Sequence, residues 1–329
     1  MSAPTISFVD VHDDVALAAW HGAESASLHH ERPFAPQRSL PALTASVQHP
    51  SGFVRRVLLA ARRDGEVVGT AELVLSQTEN EHLAELEIHV RPEHRRRGTG
   101  AALHRAVDEI RRADGRTTVI GELYLPLGGS AAGLDFATAL GFTSVHTEEH
   151  LAMRLPADPI TADLLTREVP GYEIVTWTGR CPDEHRAAYL SMRNRMNVDV
   201  PTGDVDTTPV VIDEQRLADS EERMARSYVT VVAAARRIAD GAMGGYSLLY
   251  LDRNDEVALQ DDTLVMPDHR GRGLGMQLKL ATLGIVADQH PERTTLHTWT
   301  DPANAAMYRT NISFGFAPVE ILHEMQRVD

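Results

Sequence analysis

The chain has 329 residues, 43% of them hydrophobic and 24% charged, which is typical of a globular protein long enough for two domains. Its net charge of −15 argues against general nucleic-acid binding, which needs a basic surface, and no stretch approaches the roughly 20 apolar residues that cross a membrane. The single cysteine, Cys181, excludes an intrachain disulfide and predicts a reducing, cytoplasmic location.

The first half of the chain predicts a sheet followed by alternating helices and strands. A hairpin comes first, because the turn residues Arg63-Asp64-Gly65 separate two β-rich runs. Apolar and polar residues then alternate up to Val90, which predicts a strand that ends before Pro92. The predicted order is strands at 56–62, 66–75 and 83–90, a helix from Gly98, a strand at 117–125 and a helix that stops at Gly141-Phe142.

The second half repeats this order. Two predicted helices, at 184–195 and 213–226, precede its sheet. The elements after them are strands at 228–237, 243–251 and 257–265, a helix at 273–287, a strand at 294–300 and a helix at 305–314, followed by Gly315-Phe316. A polar, Pro-bounded stretch separates the halves, so we predict domains at 1–156 and 171–329 with a linker at 157–170.

One motif occurs in both halves at the junction between strand and helix. Residues 90–100 and 265–275 share the pattern Val-x-Pro-x-His-Arg-x-x-Gly-x-Gly, displaced by 175 positions. Glycines let a backbone approach a ligand closely, and the free amides at a helix N-terminus favour an anion. A single copy could equally be a Gly-rich turn that only packs the helix against the strand. Two copies in the same structural context predict phosphate binding.

With the later Gly-Phe pair, this motif resembles the GNAT superfamily of acyl-CoA-dependent N-acyltransferases. The resemblance covers both halves, so the whole chain is similar to tandem GNAT proteins of actinobacterial type. The second copy is the closer match. It implies an α/β (α+β) fold of two tandem domains. Each would have a mixed, mostly antiparallel sheet, splayed at a central bulge beside Val90 or Val265 and flanked by helices.

The resemblance implies an acetyl-CoA-dependent N-acetyltransferase in which a small, cationic amine attacks the thioester directly. It implies no metal ligand. Coenzyme A would contact Val265, Arg270, Gly271, Arg272, Gly273, Leu274, Gly275 and Asn304 in the second copy, and Val90, Arg95, Arg96, Gly98 and Gly100 in the first.

Two carboxylates are candidates for the base. Asp261 and Asp262 lie in the strand that leads to Val265, and strand alternation puts them on opposite faces, so at most one would face the acceptor. One of them could equally satisfy the backbone or position a loop. Glu87 is the equivalent of Asp262 in the first copy, and His297 is a further candidate.

The acid that protonates the leaving thiolate is where this sequence departs from the family. Many GNAT enzymes have a tyrosine four residues before the glycine of Gly-Phe, where this chain has Asn311 and Ala137. Asn311 could donate a hydrogen bond to sulfur, and Tyr308 could replace the tyrosine only if the helix were rotated.

The two copies differ in the residues around the motif. The first has Ser130 where the second has Asn304, so we predict that the second domain is catalytic and the first degenerate. The alternatives are a second working site in the first domain, or a CoA-binding sensor or scaffold without turnover. A mycothiol-synthase-like acetylation of a thiol-precursor amine is a substrate alternative. The acidic segment 196–206 is predicted to be a lid. The acceptor's identity and the oligomeric state stay open.

Overall fold

The computed structural model describes residues 3–129, 131–157 and 169–329. Within these ranges the chain forms two compact units. The first contains residues 1–148, 202–208 and 320–329, and the second contains 149–201 and 209–319. Most of the predicted linker lies outside the described residues, so the linear domain bounds stay a prediction. Among the described helices, none is long and apolar enough to cross a membrane.

The first half of the chain has four helices and six strands in the described ranges. In chain order they are β1 (Thr5–Phe8), α1 (Asp14–Leu28), α2 (Leu40–Gln48), β2 (Val54–Arg63), β3 (Glu66–Ser76), β4 (Leu83–Val90), α3 (Thr99–Ala113), β5 (Thr118–Pro126), α4 (Ala132–Ala139) and β6 (Thr143–Arg154). The hairpin β2–β3 turns at Asp64 and Gly65, both in the left-handed region with φ of 48° and 86°, as an Asp-Gly turn favours.

The second half repeats this pattern. Its described elements are β7 (Tyr172–Thr178), α5 (Asp183–Asp199), α6 (Glu214–Ala225), β8 (Tyr228–Arg237), β9 (Met243–Asp252), β10 (Val257–Val265), α7 (Leu274–Gln289), β11 (Thr295–Thr300), α8 (Ala305–Phe314) and β12 (Ala317–Val328). The last turn of α5 occupies the start of the predicted lid. The segment 202–208 belongs to the first unit, where the Asp204 N–H donates to the Val145 carbonyl at 3.2 Å.

In each unit, the strand at one end of the sheet comes from the other half of the sequence. The first unit has the strand order β1-β2-β3-β4-β5-β12, with β12 antiparallel to β5 from Glu320 to Val328. The second has the order β6-β11-β10-β9-β8-β7, with β6 antiparallel to β11 from Glu149 to Arg154. The two halves of the chain therefore exchange their last strands: β12 completes the sheet of the first unit, and β6 completes the sheet of the second.

Both sheets are mixed because one pair of central strands is parallel. β4 pairs with β5 from Leu83 to Glu85, and β10 pairs with β11 from Val257 to Leu259. In each case the parallel pairing extends over three residues. Beyond them a gap lies between the two strands, on the side of the repeated motif. This confirms the predicted mixed, splayed sheets.

Candidate active site

The repeated motif forms the same turn in both units. A single 3-10 turn, Pro92–His94 or Pro267–His269, follows the strand and precedes the glycines. Gly98 and Gly273 have φ of 78° and 82°, a left-handed conformation that side chains rarely adopt. Gly271 is also left-handed, and in the first copy Arg96 takes that conformation with φ of 58°.

The helix after each turn begins without a side-chain cap. Gly98 precedes α3 and Gly273 precedes α7, and neither helix has a capping side chain at its first turn. The first N–H groups of such a helix lack an internal partner, and the helix dipole makes this end positive. Both turns can therefore accept a phosphate through backbone amides.

The arginine of the motif connects the turn to the preceding strand by a hydrogen bond. Arg95 Nε donates to the Val90 carbonyl at 3.1 Å, and Arg270 Nε donates to the Val265 carbonyl at 2.9 Å. Arg270 Nη2 also donates to Asp199 Oδ2 at 2.9 Å. These arginines thus hold the turn in shape as well as adding positive charge near it. Arg272 is exposed beside the same turn.

The second glycine of the motif distinguishes the two units. A Cβ added at Gly100 would lie 3.1 Å from Phe136 Cζ, because the ring of Phe136 on α4 lies against this glycine. At Gly275 the nearest atom would be Val265 Cγ2, at 3.8 Å. In the second copy the position of Phe136, five residues before the Gly-Phe glycine, is Thr310. Backbone approach is therefore open at Gly275 and covered at Gly100.

Asp261 and Asp262 form a β-bulge. β10 pairs with β9 through Gln260 and Leu249, and then again through Thr263 and Ser247, so two residues of β10 lie opposite one of β9. A bulge interrupts the alternation of faces, so strand alternation does not by itself place these carboxylates on opposite faces. The bulge also lies before Val265 and not beside it, whereas β4 pairs regularly with β3 from Ala84 to Val90.

The two aspartates have different partners. The buried Tyr246 hydroxyl donates to Asp262 Oδ2 at 2.7 Å, and Arg193 Nε lies 3.5 Å from the same oxygen. Asp261 is more exposed than Asp262, and desolvation by the protein atoms around the bulge together with the negative charge of Asp262 raises its pKa. Both effects favour the protonated form of Asp261.

The other predicted site residues have structural partners. Asn304 accepts from the Met307 N–H at 3.3 Å as the N-cap of α8, and Tyr308 donates to Glu149 Oε2 at 2.9 Å, which raises the pKa of the Tyr308 hydroxyl. Asn311 is buried and donates to Thr300 Oγ1 at 2.7 Å. His297 is buried against His150, with 2.9 Å between ring nitrogens. Ser130 lies outside the described residues.

Glu87, a candidate from the sequence, belongs to an acidic cluster of the first unit that the sequence reasoning did not predict. Glu72 and Glu87 are directly opposed on β3 and β4, and Glu85 and Glu122 lie nearby on β4 and β5. Burial raises the pKa values of Glu85 and Glu122, whereas a hydrogen bond from His89 lowers the pKa of Glu87. The sequence signal for this cluster is the two-residue spacing of the glutamates on β4, which puts them on the same face of the strand.

Comparisons with known proteins agree with this geometry. Residues 17–142 match the model described as Acetyltransferase (GNAT) family, so the match falls on the first copy and not on the second, which was expected to be the closer one. No curated protein sequence matches the chain.

Solved structures cover almost the whole chain. A tandem GNAT protein from the clavulanic acid biosynthesis pathway, solved without AcCoA, has a TM-score of 0.85 and 24% identity over 99% of this chain and 98% of its own. A GCN5-related N-acetyltransferase from Sphaerobacter thermophilus has a TM-score of 0.68 and 15% identity over 99% and 95%. Residues 17–142 therefore match the acetyltransferase (GNAT) family model, and the chain has a tandem GNAT fold.

Proposed function

We propose that the second unit transfers an acetyl group from acetyl-CoA to the nitrogen of a small, cationic amine. The observation that carries this proposal is the bulge that precedes the uncapped Gly-rich turn, where Asp261 presents an exposed carboxyl whose pKa is raised by desolvation and by the charge of Asp262. An amine is protonated at neutral pH and must lose a proton before it can attack a carbonyl carbon. A base with a pKa near the working pH suits that step.

The residues of the second unit fit coenzyme A. The backbone amides from Arg270 to Gly275, at the uncapped start of α7, would hold its pyrophosphate, and the open face of Gly275 gives the ligand room. Arg272, exposed beside the turn, adds positive charge. Acetyl-CoA supplies the activated acetyl group, which passes from sulfur to nitrogen. In the first unit, Phe136 covers the corresponding approach at Gly100.

The chain's own residues provide proton transfer and polarisation. Asp261 accepts the proton that the ammonium group releases, and a backbone N–H in the splayed strand β10 polarises the thioester carbonyl. The attacking nitrogen loses a second proton as the carbon–sulfur bond breaks, and this proton passes through solvent to the departing thiolate. A thiol has a pKa of about 8.5, so no protein acid is obligatory for this step. Asn311 in place of the family's tyrosine is therefore compatible with turnover, and we assign no proton transfer to Tyr308.

A matched pair of variants tests the placement of the site. Gly273→Asp and Gly98→Asp put the same charge into the same left-handed turn of each unit, so their backbone strain is comparable. We expect Gly273→Asp to abolish CoA binding and acetyl transfer, measured by calorimetry and by free-thiol release with a panel of amines. Gly98→Asp should retain both. The reverse outcome would place the working site in the first unit.

A CoA-binding sensor without turnover is the second candidate. It is favoured by Asn311, which has neither an acidic proton nor solvent exposure. Tight CoA binding with no thiol release from any amine would support it. A thiol-precursor amine of the mycothiol-synthase type is one member of the amine panel. The single cysteine, Cys181, is buried and free, which fits the reducing cytoplasm that we propose as the location.

A further inference from the structure

We infer that the first unit binds a divalent transition-metal ion through Glu24 on α1 and through Glu87 and His89 on β4. The two carboxylates and the imidazole each offer one ligand atom, and these atoms all lie within 4.8 Å of one another. The site uses no residue of the acetyl-transfer proposal for the second unit, so it stands or falls independently of that proposal.

The fold brings the three side chains together over one face of the first sheet. Glu87 and His89 are two residues apart on β4, so their side chains point to the same face, and Glu87 Oε2 lies 3.6 Å from His89 Nε2. α1 packs against β3 and β4 and supplies Glu24, which is 3% exposed. Two ligands of one zinc ion are at most about 4.2 Å apart, because each bond is about 2.1 Å long. Small side-chain movements would therefore close the three ligands around one ion.

The ring nitrogen of His89 is available for a metal. Its Nε2 is buried and has no partner at hydrogen-bond distance among the described residues. The 3.6 Å that separate it from Glu87 Oε2 are more than a full hydrogen bond allows. A neutral imidazole nitrogen next to carboxylate oxygens is a common ligand of transition metals.

A second buried polar group lies at the same place. Thr70 is directly opposite His89 in the β3–β4 ladder, so both side chains are on one face, with their Cβ atoms about 5 Å apart. Thr70 is 0% exposed, and within the part of the chain that the structure describes its hydroxyl oxygen has no hydrogen-bond partner. Leaving a buried hydroxyl without a partner costs stability. A bound ion would give this oxygen a positive charge to face.

The neighbouring charges leave an excess of negative charge for a cation to offset. Arg56 Nη1 donates to Glu72 Oε1 at 2.5 Å, and Arg38 donates to both oxygens of the same carboxylate. Arg38 Nη2 is farther from Glu24 Oε1, at 3.8 Å. With Glu87 included, three glutamates face two arginines, and both arginines are directed mainly at Glu72. Buried carboxylates of this kind need a paired charge or a metal.

The ligand set selects the class of metal. Oxygen ligands alone suit Mg²⁺ and Ca²⁺, whereas an imidazole nitrogen shifts the preference toward ions such as Zn²⁺. His89 directly precedes Val90, where the repeated motif begins. A bound ion would therefore connect α1 to the strand that leads into the first Gly-rich turn, and its binding free energy would stabilise the first unit.

Calorimetric titration of the untagged, metal-free chain with Zn²⁺ tests the site. We expect a strong site in the unaltered chain and much weaker binding of Mg²⁺. His89→Phe keeps a ring but removes the nitrogen, and Glu87→Gln removes a charged ligand; each should weaken Zn²⁺ binding by at least about tenfold. Glu85→Gln is the matched control, because it removes the same charge from the same face of β4 without removing a ligand. It should leave the strong site nearly unchanged.

Saturating Zn²⁺ should also raise the thermal unfolding midpoint of the unaltered chain and slow hydrogen exchange in α1, with neither change in His89→Phe. Absence of strong Zn²⁺ binding, or unaltered binding in His89→Phe, overturns the inference. An equal loss in Glu85→Gln and Glu87→Gln overturns it too, because it would indicate a diffuse acidic surface without defined ligands. If His89→Phe does not fold, Glu87→Gln and its control decide, since the Glu87 side chain is 56% exposed.

Discussion

The position of Lys279 in the fold strongly changes the pKa of its side chain. It is the only lysine in the chain, lies on α7 with 2% exposure, and its Nζ is 5.8 Å from the centre of the Phe316 ring. Burial lowers its pKa to about 7. His104 occupies the same place on α3, beside Phe142, and burial lowers its pKa too. Each copy therefore keeps a titratable base beside its Gly-Phe pair.

The depressed pKa of Lys279 makes stability depend on pH. The unfolded chain holds the lysine proton up to about pH 10.4, whereas the folded chain releases it above about pH 7. Between these values the unfolded state binds more protons, so stability rises with pH. We expect Lys279→Met to remove this rise and to stabilise the protein at pH 8 by on the order of 3 kcal/mol.

Urea unfolding from pH 7 to 9.5 measures this effect. Lys279→Arg is the control, because its guanidinium cannot release a proton and should destabilise the protein over the whole range. Parallel pH slopes for the unaltered chain and Lys279→Met would contradict the assignment.

At the scale of single elements, the helix before each Gly-Phe pair makes the two Gly-rich turns unequal. α4 places Phe136 on Gly100, whereas α8 leaves Gly275 open. We therefore expect one CoA per chain by calorimetry, and two in Phe136→Ala, because truncating the ring uncovers the first turn. Leu134→Ala, in the same helix, is the control and should leave the value at one. Two CoA per unaltered chain would contradict this account.

Local sequence rules predicted most elements but not their irregularities. The bounds of β10 and α8 match the predicted 257–265 and 305–314, because periodicity and Gly-Phe define them. The resemblance predicted a bulge beside Val265, but its position at Asp261 and Asp262 was missed, because these residues continue an ordinary strand pattern and only the pairing with β9 adds the extra residue. The roles of Arg193 and Tyr246 were missed because those residues are distant in sequence from the aspartates.

At the scale of the molecule, the exchanged strands make each unit depend on both halves of the sequence. Residues 320–329 close the first unit: β12 pairs with β5, Arg32 binds Glu320 with Nε to Oε1 at 2.6 Å, and Arg111 binds Asp329 at 2.6 Å. No local pattern predicts this pairing, because both closing strands, β6 and β12, follow a Gly-Phe pair in the same way.

Deleting residues 320–329 should therefore destabilise the first unit, although the deletion is at the far end of the sequence. Hydrogen exchange should show lost protection in β5, because its N–H and carbonyl groups lose their partner strand, while β8 to β10 keep theirs. Val328→Ala, at a side chain that is 59% exposed, is the control and should change neither region. A loss confined to the second unit would contradict this account.

The exchange has a consequence for how the gene can be divided. The first unit is not encoded by one uninterrupted stretch of codons, since it needs residues 320–329, whereas residues 149–319 contain the whole second unit, including the end of β6. Cutting the gene at the linker would separate each unit from its closing strand and leave an exposed sheet edge, a recognised hazard for aggregation. A self-sufficient first unit would need residue 148 rejoined to residue 320. A division before residue 149 keeps the second unit whole, and no single cut does the same for the first.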